Sequence, residues 1–253
     1  LITVTLICRN EAKNIRACLQ SVKWADEIIV VDAESIDGTP GMAKEFTDKI
    51  FVKDWEGYAS QREFALKQAS HDWVFAIDAD ERCSPELKEE ILGVIKSKNT
   101  EENGFRIPRK SFFLNKWIKH CGWYPGYQMR LFRRDKVIVS ERLIHEGYKA
   151  EGKTGTLKND LLHYTVNSIG EFMGKINHYS TLRAQEKKDK QKIKMSGLIF
   201  RPFAAYFQQF ILKKGFMDGA HGVMVTNFDV ITNMLTYMKI WEMQNKEDYK
   251  KTV

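Results

Sequence analysis

The chain has 253 residues, of which 43% are hydrophobic and 29% charged; this balance excludes disorder as the default and suits one large α/β domain, or a compact domain with a C-terminal extension. Lysine and arginine number 40 against 33 acidic residues, a net charge of +7, so the expected partner is anionic: a nucleotide, a phospholipid surface or a nucleic acid. The four cysteines, Cys8, Cys18, Cys83 and Cys121, lack any CxxC spacing, which argues against a zinc site or a secreted disulfide framework and fits a reducing cytoplasm.

The opening run LITVTLIC meets Arg9 at once. It is too short for a spanning helix, lacks the basic start of a signal peptide, and reads as a buried strand. Similar apolar runs recur at Glu27 to Asp32 and Trp73 to Asp78, with helix-length segments at Glu11 to Val22 and Tyr58 to Ala69 between them. Strand, helix, strand, helix, strand is the signature of a parallel sheet with crossover helices. Ser84-Pro85-Glu86 announces another helix, running to about Lys98. Two strand-like pieces follow, near Gly104 to Arg109 and Met129 to Arg133, in a stretch rich in aromatics and arginines that reads as an acceptor half. From Glu171 helices dominate. The expected division is a catalytic domain over residues 1–165, with a nucleotide half (1–100) and an acceptor half (101–165), and a helical extension over 166–253.

Two strands end in aspartate, Asp32 and Asp78, and open α/β sheets bind ligands outside the carboxyl ends of their strands. Asp78-Ala79-Asp80-Glu81 follows an apolar strand directly, and alternating carboxylates there suit a hard cation, Mg²⁺ or Mn²⁺. Such an ion would neutralise charge developing on a diphosphate leaving group. The plainer alternative makes Asp80 and Glu81 solvated residues opening the helix at Ser84. Asp32 and the polar turn after it, through Thr39, offer hydrogen-bond acceptors for a base or ribose, or simply a turn capped locally by Ser35 and Asp37. Arg130 and Arg133 suit a diphosphate or a solvated strand face. His163, in LLHY, is either a metal or phosphate ligand or a structural histidine.

The segments VTLICRNEAKNI, IIVVDAESIDGT, ASQREFALKQA and DWVFAIDADE together resemble the family 2 glycosyltransferases, in order from Val4 to Glu81. GWYPGYQMRLFRR, Ile144-His145-Glu146 and PFAAYFQQFILKKGFMDGAHG are similar to the lipopolysaccharide-core β-1,4-glucosyltransferase branch of that family. The resemblance implies a GT-A fold, a Rossmann-like and mostly parallel sheet with flanking helices, and an inverting, metal-dependent transfer of a hexose, glucose by this branch, from a UDP-sugar to an envelope glycolipid or saccharide acceptor. It places Asn10 and Glu11 beside the nucleotide, Asp32 against base or ribose, Arg62 near the donor, Asp78 between ribose and metal, and Asp80 on the metal. Glu146 becomes the base that deprotonates the acceptor hydroxyl. The chain departs from the family at Glu63, where Asn is frequent, and at Gly126, where an acid is.

A nucleotidylyltransferase would share nucleotide and magnesium, but the glycine-rich loop expected after its first strand is replaced by CRNEAKN. A non-catalytic nucleic-acid module would use the basic charge, yet neither zinc-finger spacing nor an RNP motif is present, so nucleic acid leaves the expected partners. The basic run Arg183 to Lys194 precedes an apolar one, Leu198 to Met217, whose uncharged core from Pro202 to Leu212 is too short to span a bilayer. Core packing, a dimer contact and an interfacial helix on an anionic membrane surface all fit this pattern. The glycolipid resemblance favours the last, a peripheral position at the cytoplasmic face of the cell membrane.

Overall fold

The computed structural model describes residues 1–97, 100–140, 147–166 and 168–250, with the helical backbone alone over 246–250. Its first half alternates as the apolar runs require: β1 (Ile2–Cys8), α1 (Ile15–Ser21), β2 (Glu27–Asp32), α2 (Thr39–Ala43), β3 (Ile50–Val52), α3 (Tyr58–Gln68), β4 (Trp73–Asp78), β5 (Glu81–Cys83) and α4 (Pro85–Lys96). Short strands follow: β6 (Gly104–Ile107), β7 (Arg109–Phe113), β8 (Lys116–Trp117), β9 (Gln128–Arg133), β10 (Val137–Val139), β11 (Tyr148–Ala150), β12 (Thr154–Thr156) and β13 (Leu161–Val166). The chain continues in α5 (Ile169–Lys187), α6 (Met195–Tyr206), a π-helical segment Phe207–Leu212, and α7 (Gly219–Lys250).

The described residues form two compact units, one of 1–111, 125–140 and 147–165, the other of 112–124 and 166–250. The first is built on a seven-stranded sheet in the order β12-β6-β9-β4-β1-β2-β3. β1 pairs in parallel with β2 and with β4, while β9 runs antiparallel to β4 and β6. Period-two alternation splits the core. Ile28, Val30, Phe75 and Ile77 face one cluster with Leu19 and Leu87, while Ile29, Val31, Val74 and Ala76 face another with Ala65 and Leu66. Burial on both faces explains why these strands read as unbroken apolar runs.

Helix ends follow local chemistry. Ser84 Oγ accepts from Leu87 N at 3.1 Å and Pro85 opens α4, the arrangement its sequence announces. The first helix begins at Ile15 rather than Glu11. The backbone N–H groups of Asn10, Glu11 and Ala12 are taken by Ser35 Oγ, Thr39 Oγ1 and Asp37 Oδ2 at 2.7, 2.8 and 3.0 Å, which holds this stretch as a loop. The short β3 was not among the expected strands.

In the second unit Phe113, Ile118, Cys121, Val166 and Val225 form a small core with Phe172 and Phe228 against it. The buried Asp218 ties residues 119–120 to the C-terminal helices, accepting from Lys119 N at 3.3 Å and His120 N at 2.8 Å, with His120 Nδ1 at 3.1 Å. Gly222 permits a close approach, since a Cβ there would sit 1.8 Å from Gly215 O. Between α5 and α7, Lys239 Nζ donates to Asn177 O, Ser180 Oγ and Thr181 Oγ1 at 2.8, 2.9 and 2.7 Å. Among the described residues no helix is long and apolar enough to cross a membrane.

Candidate active site

The chain leaves β1 for β2 and β3 on one side, then returns through α3 to β4 on the other, so the sheet's switch point lies between β1 and β4. Register aligns Cys8 with Asp32 and Ile7 with Asp78, which sets the carboxyl ends of all three strands at one level. Such a crevice is where doubly wound sheets take their ligands.

On the β2 side the polar groups are spent on each other. Asp32 is 1% exposed. Its Oδ2 accepts from Ser35 N at 2.8 Å, and Cys8 Sγ lies 3.5 Å from Oδ1. Asn10 Oδ1 accepts from Ile36 N at 2.9 Å, Glu11 Oε2 from Asn14 Nδ2 at 2.9 Å, and Asp37 Oδ1 from Thr39 Oγ1 at 2.5 Å. Asn10 and Glu34 take left-handed backbone, φ 56° and 54°, a conformation that costs a non-glycine residue and gathers at functional loops. The local-capping alternative thus describes Asp37 well. Any contact of Asp32 with a base or ribose would have to share oxygens already in use.

On the β4 side the groups are charged. Asp78 pairs closely with Arg130 through Oδ2, and Arg62 Nη2 lies 3.6 Å from Oδ1. Glu81, fully buried, accepts from Arg130 Nη2 at 2.8 Å and from Asp78 N at 3.0 Å, with Arg109 Nη1 at 3.6 Å. Burial alone would raise the Asp78 pKa, but the guanidinium of Arg130, then that of Arg62, holds this carboxyl well below the usual carboxylate range. Arg62 is sandwiched by aromatics, its guanidinium carbon 5.7 Å from the ring centres of both Tyr58 and Tyr148, a cation–π arrangement that fixes it at the strand end.

Of the two expectations for Arg130, a diphosphate or a solvated face, the second does not hold: it is 5% exposed and enclosed by Asp78 and Glu81. Antiparallel pairing of β9 with β4 brings it there. Glu81 likewise is no solvated helix opener but the buried anchor of this network. Sequence reasoning overlooked Arg109 and Tyr148 altogether.

Asp80 points to a different partner. Its Oδ2 lies 3.3 Å from His163 Nε2, with both side chains partly open to solvent. The pairing of β5 with β13 sets Glu81 opposite His163, and Tyr164 N donates to Asp80 O at 2.9 Å. Ser111 Oγ, 3.1 Å from His163 Nδ1, orients the ring so that Nε2 faces the carboxylate. A histidine held at one ring nitrogen by an outer partner can present the other as a ligand, and with the Asp80 carboxylate beside it the O,N donor pair would suit Mn²⁺ or Mg²⁺. Among the described residues no three His, Cys, Asp or Glu side chains group closely enough to hold a metal. A cation here would draw its remaining ligands from phosphate and water, as Mg²⁺ commonly does. Asp78, committed to arginines, is the weaker donor. Ile144-His145-Glu146, which carries the expected base, lies outside the described residues.

A mostly parallel sheet with this acidic edge at its switch point defines an α/β protein that takes its ligand at strand ends. Residues 3–145 match the family described as Glycosyl transferase family 2, and the chain belongs to that family of enzymes. It is 31% identical to the lipopolysaccharide core biosynthesis glycosyltransferase LpsC of Rhizobium meliloti over 94% of this chain and 90% of that protein. An uncharacterized glycosyltransferase of Rickettsia felis is 27% identical over 95% and 89%. The crystal structure of S. aureus TarS 1-349 in complex with UDP-GlcNAc superposes with a TM-score of 0.51 at 14% identity, covering 97% of this chain and 92% of that one. That likeness speaks for the fold, which is GT-A as expected.

Proposed function

We propose that this chain is a metal-dependent, inverting hexosyltransferase that moves a sugar, glucose by the branch its motifs resemble, from a UDP-sugar to the lipopolysaccharide core or a related envelope glycolipid. The observation that carries the reading is the Asp80–His163 pair beside the Asp78–Arg62–Arg130 cluster at the switch point. The part of LpsC in lipopolysaccharide core biosynthesis and the UDP-GlcNAc in the TarS crystal support the acceptor and donor classes. Mg²⁺ or Mn²⁺, held by Asp80 and His163, would supply positive charge to the diphosphate as it departs.

The chain's own residues do the rest. Arg62 faces the donor, and Arg130 keeps Asp78 ionised and aimed at ribose hydroxyls. Asn10, Glu11 and the turn shaped by Asp32 border the nucleotide. Glu146 accepts the proton of the acceptor hydroxyl as its oxygen bonds to the anomeric carbon, and the electron pair of the broken sugar–phosphate bond passes to UDP. Direct displacement of this kind inverts the anomeric centre.

The test sets Glu146→Gln against wild type, with UDP-glucose, UDP-galactose, UDP-N-acetylglucosamine and GDP-mannose as donors. The expected result is a UDP-sugar preference, with transfer by Glu146→Gln down roughly 10²–10⁴-fold and UDP affinity unchanged. Transfer within a few-fold of wild type would remove Glu146 from the mechanism.

A further inference from the structure

The helix α6 has no buried residue, although it is among the most apolar segments of the chain. It rests on α7 by one face: Gly197, Leu198, Arg201 and Pro202 meet Asn233, Met234, Tyr237 and Met238 around a small crevice. The Arg201 guanidinium carbon stands 4.1 Å from the Tyr237 ring centre. The opposite face is bare. Met195, Ile199, Phe200, Phe203 and Phe207 are exposed by 78, 53, 67, 72 and 54%, and they recur at i, i+4, i+5, i+8 and i+12, one stripe of a helix. Leu212, Phe216 and Met217 continue the apolar surface at 64, 51 and 57%. Scattered exposed apolar residues are ordinary, but a continuous stripe of large ones marks an interaction surface.

Charge selects the partner. Lys187, Lys188, Lys190, Lys192 and Lys194 lie exposed in the run before the stripe, with Asp189 the one acidic residue among them, while Lys213 and Lys214 lie exposed after it. Between Met195 and Met217 there is no acidic residue. An apolar stripe flanked by lysines fits lipid acyl chains below anionic head groups, whereas a second copy of this chain would bring like charges together.

We propose that α6 and the π-helical segment after it form a monotopic membrane-contact face, with Phe200 and Phe203 inserted into an anionic bilayer surface and the flanking lysines at its phosphates. The proposal is independent of the sugar chemistry. Phe210, half-buried and 5.3 and 6.1 Å from the ring centres of Tyr206 and Phe216, belongs to the packing rather than to the inserted tip, so the informative substitutions lie earlier in the chain.

The experiment is co-sedimentation of the full chain with phosphatidylcholine vesicles and with phosphatidylcholine–phosphatidylglycerol vesicles, at low and high salt. Wild type should pellet with the anionic vesicles at least ten-fold more than with the neutral ones, less so at high salt. Phe200→Ser/Phe203→Ser should lose most of that binding while keeping the wild-type UDP thermal shift. Because all four cysteines are buried, Phe203→Cys can be labelled selectively with an environment-sensitive fluorophore. A blue shift on adding anionic vesicles is expected, and this reading survives even if the serine pair folds poorly. A label that stays in water, equal pelleting with neutral vesicles, or a concentration-dependent dimer that the serine pair dissolves would overturn the proposal. Serine-pair binding equal to wild type would also overturn it, whereas a wild type that pellets with anionic vesicles but shows no UDP thermal shift would count against the donor assignment alone.

Discussion

Two strand ends look alike in sequence, each an apolar run closed by aspartate, and they fold into different things. At the end of β2, Asp32 is buried and its carboxylate is spent within a turn, with Ser35 N at 2.8 Å. At the end of β4, Asp78 and Asp80 meet Arg130, Arg62 and His163 instead. The difference lies in what the tertiary fold carries to each end. Local backbone N–H groups reach Asp32, whereas β9, β13 and α3 deliver charged side chains to the DxD segment. A carboxylate that satisfies its own loop builds a rim, and one balanced by movable charge can exchange partners with a phosphate or a cation.

The comparison breaks most visibly at Arg130. Arg130→Ala leaves Glu81, at 0% exposure, without its 2.8 Å partner, and an uncompensated buried charge costs about 3–5 kcal/mol. Urea denaturation should show that loss, and Arg130→Met combined with Glu81→Gln should recover most of it. If the single variant is as stable as wild type, the charges at the β4 end do not form the network described.

Glu27, at the opposite end of β2, sharpens the contrast, being a carboxylate of purely structural use. Burial would raise its pKa, yet Lys49, Thr3 and Ser70 pull it down to about 2, with Thr3 Oγ1 at 2.5 Å and Ser70 N at 2.8 Å. A folded pKa below the ordinary 4.5 means that its stabilisation is complete above pH 4.5 and is lost as pH falls toward 2. With Lys49 half exposed and its charge screened, Glu27→Gln should therefore cost roughly 1–2 kcal/mol at pH 7, less as the solution is acidified through that window, and leave UDP binding untouched. A constant difference from pH 7 to pH 2.5 would contradict the assignment.

The central strands were legible because both faces are buried, so β4 appears in the sequence as WVFAID from Trp73 to Asp78. The DxD was legible from its position after that strand. His163, Arg62 and Arg130 were legible as candidates, but their pairings were not: His163 reaches Asp80 through the register of β5 with β13, and nothing near LLHY in sequence announces that. Arg109 is hidden for the same reason. The structural role of Glu81 was not legible: in sequence it is either the last acid of the cation segment or a helix-opening charge before Ser84, and its burial depends on Arg130 arriving from β9. In the C-terminal half, apolarity was legible but its use was not, since a stripe such as Met195 to Phe207 reads the same whether it packs inward or stays bare.

The most direct test of the account is the thermal shift given by UDP with Mn²⁺ and with EDTA, measured for wild type, Asp80→Ala and Asp32→Asn. At about 100 times its dissociation constant UDP should stabilise wild type by roughly 2.7 kcal/mol with Mn²⁺ and far less with EDTA. Asp80→Ala should lose the metal-dependent part, and Asp32→Asn should keep it on a less stable protein. Equal shifts in Mn²⁺ and EDTA, or an Asp32→Asn protein that loses the metal-dependent shift while Asp80→Ala keeps it, would contradict the distinction between the two strand ends.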